Sequence, residues 1–220
     1  MSDISESTTS DLGGEAMRLL SGLCHEMGNV LTATRLYAQF LTDEIGPEEV
    51  AENAGEVDHL SGVASQLLLL VRPIVAPLER GRGVAKPRDV LERVQASLEP
   101  TRKGVEVGIA FDSSAGVSRV NMDGDLLHTF IATLIQEACQ GLPEAGRVDV
   151  RVEASSGPVV FVVEDDGEED EGLVRFREEA LRGRPLRCAI IDHVLRKFGG
   201  RVEASRKGLL TRVELQIPTS

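Results

Sequence analysis

The stretch Leu19–Leu41, LLSGLCHEMGNVLTATRLYAQFL, carries apolar residues at alternating steps of four and three. This spacing places one apolar stripe along a helix and is typical of helix-on-helix packing. The predicted seam comprises Leu20, Cys24, Met27, Leu31, Thr34, Ala38, Leu41 and Ile45. At about 100° per residue, His25 falls roughly 150° from the centre of this stripe, and Asn29 lies beside it one turn later. The sequence therefore predicts a long amphipathic helix with His25 and Asn29 on its solvent face.

A second helix is expected directly after the first. Gly46-Pro47 interrupts the periodic pattern, Pro47 suits a first helical turn, and Glu48 and Glu49 favour the positive end of the helix dipole. This helix is predicted to run to about residue 78, with its inward residues being Val50, Val57, Leu60, Ala64, Leu67, Leu68 and Val71. Two such helices form an antiparallel hairpin, which cannot bury a seam on both helices by itself. We therefore expect two copies to associate as a four-helix bundle.

The pattern changes after residues 81–87, GRGVAKP, which have the composition of a linker. Helices are predicted over 88–99, 125–140, 173–181 and 187–198, and Gly199-Gly200 is expected to cap the last one. Strands are predicted over 105–111, 147–154, 158–164, 201–205 and 209–217. This order predicts an α/β sandwich with one mixed sheet and helices on one face. The chain is thus expected to be α+β, with a disordered tail over 1–10, the hairpin over 11–80, a linker over 81–87 and the sandwich over 88–220.

Composition excludes several functional classes. The 36 acidic and 24 basic residues give a net charge of −12, which argues against binding to nucleic acid or an anionic membrane. The three cysteines are far apart, so they indicate neither a metal site nor a disulfide framework, and Cys24 and Cys188 are expected to be small core residues. The N-terminus lacks a signal-peptide pattern, and we expect a cytoplasmic protein.

The order of elements, with three local motifs, resembles the core of a sensor histidine kinase over residues 12–217. That core joins a dimerisation and histidine-phosphotransfer hairpin to an ATPase domain of the GHKL type. His25–Asn29, HEMGN, resembles the His-Glu-x-x-Asn box of the family. Met122–Leu127 resembles the segment that leads into the asparagine box, and Arg187–Ala204, RCAIIDHVLRKFGGRVEA, resembles the helix and strand after the second glycine box.

The departures from the family concern the nucleotide site. Glu137 stands where the family has the asparagine that holds Mg²⁺ against the phosphates, and Glu169 replaces the second glycine of the first glycine box. Arg184–Cys188 replaces the second glycine box, whose backbone amides would cradle phosphate. Pro185 even removes one amide donor. These losses predict a domain that does not bind ATP.

Part of the first glycine box is retained. Asp165 matches the aspartate that receives the adenine amino group in the family, and Gly167 follows it. Six of the seven residues over 164–170 are acidic, and held close together they would repel a triphosphate by several kcal/mol. The degenerate site is therefore expected around Glu137, Asp165, Gly167 and Pro185, with no cofactor bound.

Among degenerate relatives, the chain resembles the ChpT-like histidine phosphotransferases, which carry phosphate between receiver-domain aspartates. This resemblance implies that His25 is the nucleophile, that Glu26 hydrogen-bonds its other ring nitrogen or orients the incoming group, and that Asn29 positions the donor. It also implies a homodimer whose partners are response-regulator receiver domains and an upstream (hybrid) histidine kinase. The protein is expected to hold no metal of its own, and Mg²⁺ is expected to arrive with the receiver domain.

Two other functions stay open on the sequence alone. One is an atypical ATP-dependent histidine kinase that uses Glu137 and Asp165, and the other is a non-catalytic dimeric scaffold that binds response regulators. His25 could also be an ordinary surface histidine, with His59 as the reserve phosphoacceptor. Zinc binding is a poor interpretation of the motif, because Asn29 stands where a second histidine ligand would be needed.

Overall fold

The computed structural model of the chain describes residues 3–41, 46–75, 83–97, 105–111, 119–142, 146–154, 157–167, 171–176 and 183–220. The predictions made for Ile45, for the helix end near residue 78 and for Glu169 lie outside these ranges. The chain divides into two compact units, Met1–Val75 and Ala76–Ser220, so the division falls a few residues before the predicted linker.

The first unit is a hairpin of two long helices, α1 (Asp3–Phe40) and α2 (Pro47–Val75), which pack against each other. Helix α2 begins at the predicted proline with Glu48 and Glu49 in its first turn, and it continues two residues past Pro73. The disordered tail predicted over 1–10 is wrong from Asp3 onward, because α1 is helical there. Neither proline nor glycine interrupts the chain between Asp3 and Leu12, so the helix meets no breaker.

The buried face of the hairpin differs in detail from the predicted seam. Within one chain the buried residues of the hairpin are Leu19, Leu23, Leu67, Leu70 and Ile74. On α1 this face, defined by Leu19 and Leu23, is turned by roughly 70° from the prediction at 100° per residue. Within one chain Leu31 is 57% exposed and Cys24 is exposed, so α2 does not cover these two seam residues, whereas Cys188 is buried as expected. The physical reason is that α2 covers only one side of the apolar stripe of α1.

The second unit has one five-stranded sheet and four described helices. The elements in chain order are α3 (Pro87–Ser97), β1 (Val105–Phe111), α4 (Gly124–Gln140), β2 (Gly146–Ala154), β3 (Val159–Asp165), α5 (Glu171–Val174), α6 (Gly183–Arg196), β4 (Arg201–Lys207) and β5 (Leu210–Ile217). The strand order is β1-β2-β3-β5-β4, with β1 parallel to β2 and the other pairs antiparallel. The predicted mixed sheet is confirmed, with element ends shifted by a few residues.

Side-chain alternation separates the two faces of this sheet. Val150, Phe161 and Val213 are fully buried and represent the face that α4 and α6 cover. The intervening positions of β2 and β5 carry mostly charged residues, whereas those beside Phe161 in β3 are valines. Asp123 caps α4 by accepting hydrogen bonds from the amides of Asp125 and Leu126, each at 3.0 Å. These caps and strands fix the ends of β3, α4 and α6, which together carry the degenerate nucleotide site.

In the part of the chain that the structure describes, every helix is too short or too polar to cross a membrane.

Candidate functional site

The candidate phosphoacceptor lies in the middle of α1. His25 and Asn29 are exposed, as the helical spacing predicts, whereas Glu26 is half-buried. Gly28 has open space around it, since an added Cβ would meet no atom within 4 Å. The imidazole is therefore accessible to another protein on a rigid helix, which fixes its direction better than a loop would. The roles assigned to Glu26 and Asn29 stay predictions.

The face of α1 that carries His25 continues into exposed apolar residues. At 100° per residue, His25, Asn29, Leu36 and Phe40 lie within about 60° of one another. Leu36 is 48% and Phe40 is 40% exposed, and the Phe40 ring packs edge-on against Tyr37 with 6.2 Å between the ring centroids. We call Leu36 and Phe40 the apolar extension of the His25 face.

The nucleotide site of the second unit centres on Asp165, at the end of β3. This carboxylate is 1% exposed, and both of its oxygens already accept hydrogen bonds. Oδ2 receives Nη2 of Arg184 at 2.5 Å, and Oδ1 receives the amide of Gly167 at 3.1 Å. The Arg184 side chain is 10% exposed. The acceptor that the family offers to an adenine amino group is thus occupied by a guanidinium.

The second carboxylate of the predicted site, that of Glu137, is also bound by an arginine. Nε of Arg187 lies 2.7 Å from Oε1 of Glu137, and these two side chains are 9% and 10% exposed. Nη2 of Arg206 donates to the carbonyl oxygen of Gly167 at 3.2 Å. Three guanidinium groups therefore lie around the positions at which the family would hold base and metal.

A glycine is required at position 167 because the surrounding protein atoms leave no room for a side chain. A Cβ at this position would lie 2.8 Å from the carbonyl oxygen of Gly141 and 2.9 Å from Oδ1 of Asp165. Pro185 is buried in the first turn of α6, where its missing amide hydrogen costs no helical hydrogen bond. Both residues therefore have a structural explanation in this chain.

The residues present do not fit a nucleotide or its metal. An adenine amino group would have to displace Arg184 from Asp165, and a Mg²⁺ ion would have to displace Arg187 from Glu137. Removing one partner from a buried ion pair leaves an uncompensated charge, which is strongly unfavourable. The Arg184 side chain that holds Asp165 is itself only 10% exposed. No chemical step through ATP follows from this geometry.

The acidic run over 164–170 does not act as one cluster. Glu164 alternates with Asp165 along β3 and lies on the opposite face of the sheet. It forms a close ion pair with Arg151, and Nη1 of Arg212 donates to its Oε1 at 2.9 Å. Hydrogen bonding from Arg151 lowers the pKa of Glu164, against the effect of burial, and Arg212 adds to the lowering. The predicted joint repulsion is therefore wrong for Glu164, while residues 168–170 lie outside the described ranges.

The remaining titratable residues form no second site in the described chain. His59 is exposed, His193 is buried, and Nε2 of His128 lies 3.0 Å from Oγ of Ser97. Within the described ranges, no three His, Cys, Asp or Glu side chains come together in a way that could hold a metal ion.

The sequence interpretation missed Arg184 and Arg187. Both occur in the segment that replaces the second glycine box, RPLRC, and both face carboxylates that the same interpretation had identified. One signal in the sequence could have identified them. The segment that replaces the second glycine box contains two arginines, and the same predicted site contains two acidic residues, Asp165 and Glu137, with which they could pair.

No protein-family model matches the chain. Curated relatives do match. The sensor histidine kinase ZraS of Escherichia coli O157:H7 is 24% identical over 220 residues, which cover 92% of this chain and 46% of ZraS. The signal transduction histidine-protein kinase AtoS of E. coli K12 is 28% identical over 156 residues, covering 68% of this chain and 25% of AtoS. The chain thus spans less than half the length of these relatives.

Solved structures agree in fold. The histidine kinase AdeS of Acinetobacter baumannii superposes with a TM-score of 0.62 at 16% identity, covering 89% of this chain and 98% of AdeS. The histidine kinase ThkA, in complex with the response regulator protein TrrA, also gives a TM-score of 0.62 at 16% identity, covering 98% of this chain and 64% of ThkA. The chain is thus similar in sequence to sensor histidine kinases, and its helical hairpin and mixed sheet share the fold of solved histidine kinases.

Proposed function

We propose that this protein is a histidine phosphotransferase of a multi-step His-Asp phosphorelay, which shuttles phosphoryl groups between receiver-domain aspartates through His25 without using ATP. The observation that carries the proposal is the contrast between an exposed His25 and a nucleotide site whose carboxylates, Asp165 and Glu137, are both bound to arginines. A kinase on this scaffold would need Asp165 and the position of Glu137 to be available to nucleotide and metal, whereas a phosphotransferase needs no nucleotide site.

The transfer step requires an in-line nucleophile and a neutralised phosphoryl group. One ring nitrogen of the neutral His25 imidazole attacks the phosphorus of an aspartyl phosphate. The N–P bond forms as the bond between phosphorus and the carboxylate oxygen breaks, and the electron pair leaves with the donor's carboxylate. The same step in reverse delivers the phosphoryl group to the next receiver. Glu26 orients the imidazole or the incoming group, Asn29 positions the donor, and the receiver supplies Mg²⁺.

The apolar extension of the His25 face supports a receiver domain as the partner. Leu36 and Phe40 are exposed apolar residues on the helical face of His25, roughly 16 and 22 Å along the helix from it. Exposed apolar surface next to a functional group is typical of a protein-binding site. ThkA, which shares this fold, has been solved with a response regulator bound. We propose that a receiver domain packs on Leu36 and Phe40 while presenting its aspartate to His25.

The uncovered side of the hairpin supports a homodimer. Leu31 on α1 and Leu68 on α2, 57% and 61% exposed, belong to the predicted seams yet are not covered within one chain. A second copy would cover both through a four-helix bundle. His25 lies on another side of α1, so the proposed dimer leaves it accessible.

A transfer assay without ATP tests the proposal. Receiver domains from the source organism are phosphorylated with radiolabelled acetyl phosphate, freed of the reagent and mixed with the protein. The proposal predicts rapid appearance of acid-labile label on the protein. Absence of label from every receiver would instead favour the non-catalytic scaffold.

A further inference from the structure

We infer that the guanidinium of Arg184 is an internal ligand, which excludes adenine nucleotides by occupying the acceptor on Asp165. This inference deepens the proposed function, on which it rests, by naming the residue that determines nucleotide exclusion. It differs from the view that lost glycines and added acidic residues are the cause.

The contacts of Asp165 carry the first step. Its Oδ1 is engaged by the amide of Gly167, an interaction within the same loop, so Oδ2 is the oxygen that remains for a ligand. Nη2 of Arg184 holds that oxygen at 2.5 Å. An exocyclic amino group of a purine and a guanidinium NH₂ are planar nitrogen donors of the same kind, so they compete for this oxygen.

Burial carries the second step. Arg184 is 10% exposed and Asp165 is 1% exposed, so the guanidinium fills interior space rather than covering a surface. A planar base cannot enter while this side chain is present, because folded interiors are close-packed. The missing amide of Pro185 and the carboxylate of Glu137 would affect the binding of phosphate and metal. Neither of them would prevent an adenine base from reaching Asp165.

The Arg184 side chain occupies its place without satisfying all of its hydrogen-bond donors. Among the residues that the structure describes, the buried Nε of Arg184 has no hydrogen-bond partner. Leaving a buried donor unpaired is costly, and the tether from the α6 backbone prevents the guanidinium from turning to satisfy it. An untethered guanidinium ion of the same chemistry could adopt the better orientation.

The test uses the full-length Arg184→Gly variant, with Arg88→Gly as the matched control. Arg88 is likewise the second residue of a helix and forms an ion pair, but that pair with Glu92 is exposed. The melting temperature of each protein is followed with methylguanidinium, which replaces the deleted group, and with adenosine, which presents the base without phosphate charge. If Arg184→Gly does not fold alone, refolding is attempted with methylguanidinium present.

We expect methylguanidinium to raise the melting temperature of Arg184→Gly, or to restore its folding, without affecting wild type or Arg88→Gly. We also expect adenosine to bind Arg184→Gly at least about tenfold more tightly than wild type, since one charge-assisted hydrogen bond is regained. Failure of methylguanidinium to act on the variant overturns the internal-ligand assignment. Rescue by methylguanidinium without a gain in adenosine affinity overturns Arg184 as the determinant of exclusion.

Either failure is distinguishable from failure of the proposed function. The relay activity of wild type is measured on His25 with phosphorylated receivers, and it does not depend on what excludes adenosine from Asp165.

Discussion

The two units of this molecule treat their reactive side chains in opposite ways. In the hairpin, His25 is exposed on a rigid helix, with open space around Gly28 and exposed apolar residues farther along the same face. In the α/β unit, Asp165 and Glu137 are buried and each is bound to an arginine of α6. One unit thus keeps its functional group available to a partner, and the other has satisfied its groups internally. The difference teaches that one fold can keep one reactive side chain exposed while its own arginines satisfy carboxylates elsewhere.

Substitution of His25 is expected to give the largest effect. His25→Ala should abolish phosphoryl transfer from a phosphorylated receiver, because no other nucleophile replaces the imidazole, while the dimer stays intact. Labelled-phosphate transfer and light-scattering mass measure the two properties. His59→Ala, at an exposed position on α2, is the matched control and should transfer normally. Undiminished transfer to His25→Ala, or its loss in His59→Ala, would refute the assignment.

The buried pairs of the α/β unit predict the next largest effect. Arg187→Met should lower the free energy of unfolding by about 3 to 5 kcal/mol, because the Glu137 carboxylate, only 10% exposed, loses its ion pair with the guanidinium. Arg88→Met should lower it by less than about 1 kcal/mol, because its pair with Glu92 is exposed. Urea unfolding of both variants measures this. The double variant Arg187→Met/Glu137→Met should recover most of the lost free energy of unfolding. Equal losses for Arg187→Met and Arg88→Met would contradict the claim that Arg187 stabilises the Glu137 carboxylate.

The apolar extension sharpens the hairpin side of the comparison. Leu36→Asp should reduce transfer at sub-saturating receiver by about tenfold, since removing an apolar contact from an interface typically costs 1 to 2 kcal/mol. The effect should appear in KM more than in kcat, because His25 is untouched. Val174→Asp, at a 55% exposed position of the other unit, is the control. An unchanged KM for Leu36→Asp would show that the receiver domain does not bind to this surface.

The smallest expected effect concerns the charged face of the sheet. The pKa of Glu164 is lowered in the folded state by Arg151 and, to a lesser extent, by Arg212. The folded protein therefore holds this carboxylate ionised more tightly than the unfolded chain does. The resulting stability is present above the ordinary pKa of 4.5 and is lost as pH falls through the lowered value. Unfolding measured from pH 7 to pH 3 should show a shallower acid loss for Glu164→Gln than for wild type, and identical slopes would contradict this.

Local pattern was sufficient to predict most elements of the fold. The apolar spacing of α4 and the alternation of Val148, Val150 and Val152 in β2 are signals within one segment, and both elements occur where expected. Gly199 has a φ of 77° and follows α6 as its predicted cap. The exposure of His25 was predictable for the same reason, because it depends only on helical phase.

Contacts between distant segments could not be predicted in this way. The pair between Arg184 and Asp165 joins residues 19 positions apart on different elements, and nothing in either local pattern selects the partner. The buried side of α1 was misplaced for a related reason. Its apolar stripe is wide enough for two neighbours, and the sequence does not say which side α2 covers.

The most direct test of the central claim is a parallel labelling experiment on wild-type protein. One sample receives radiolabelled ATP with Mg²⁺ alone, and the other receives a receiver domain that a cognate kinase has phosphorylated from the same ATP before ATP is removed. Label on His25, mapped by peptide analysis under alkaline conditions, is the readout. The account predicts label from the phosphorylated receiver and none from ATP alone. Label on His25 from ATP alone would contradict it and identify an active kinase.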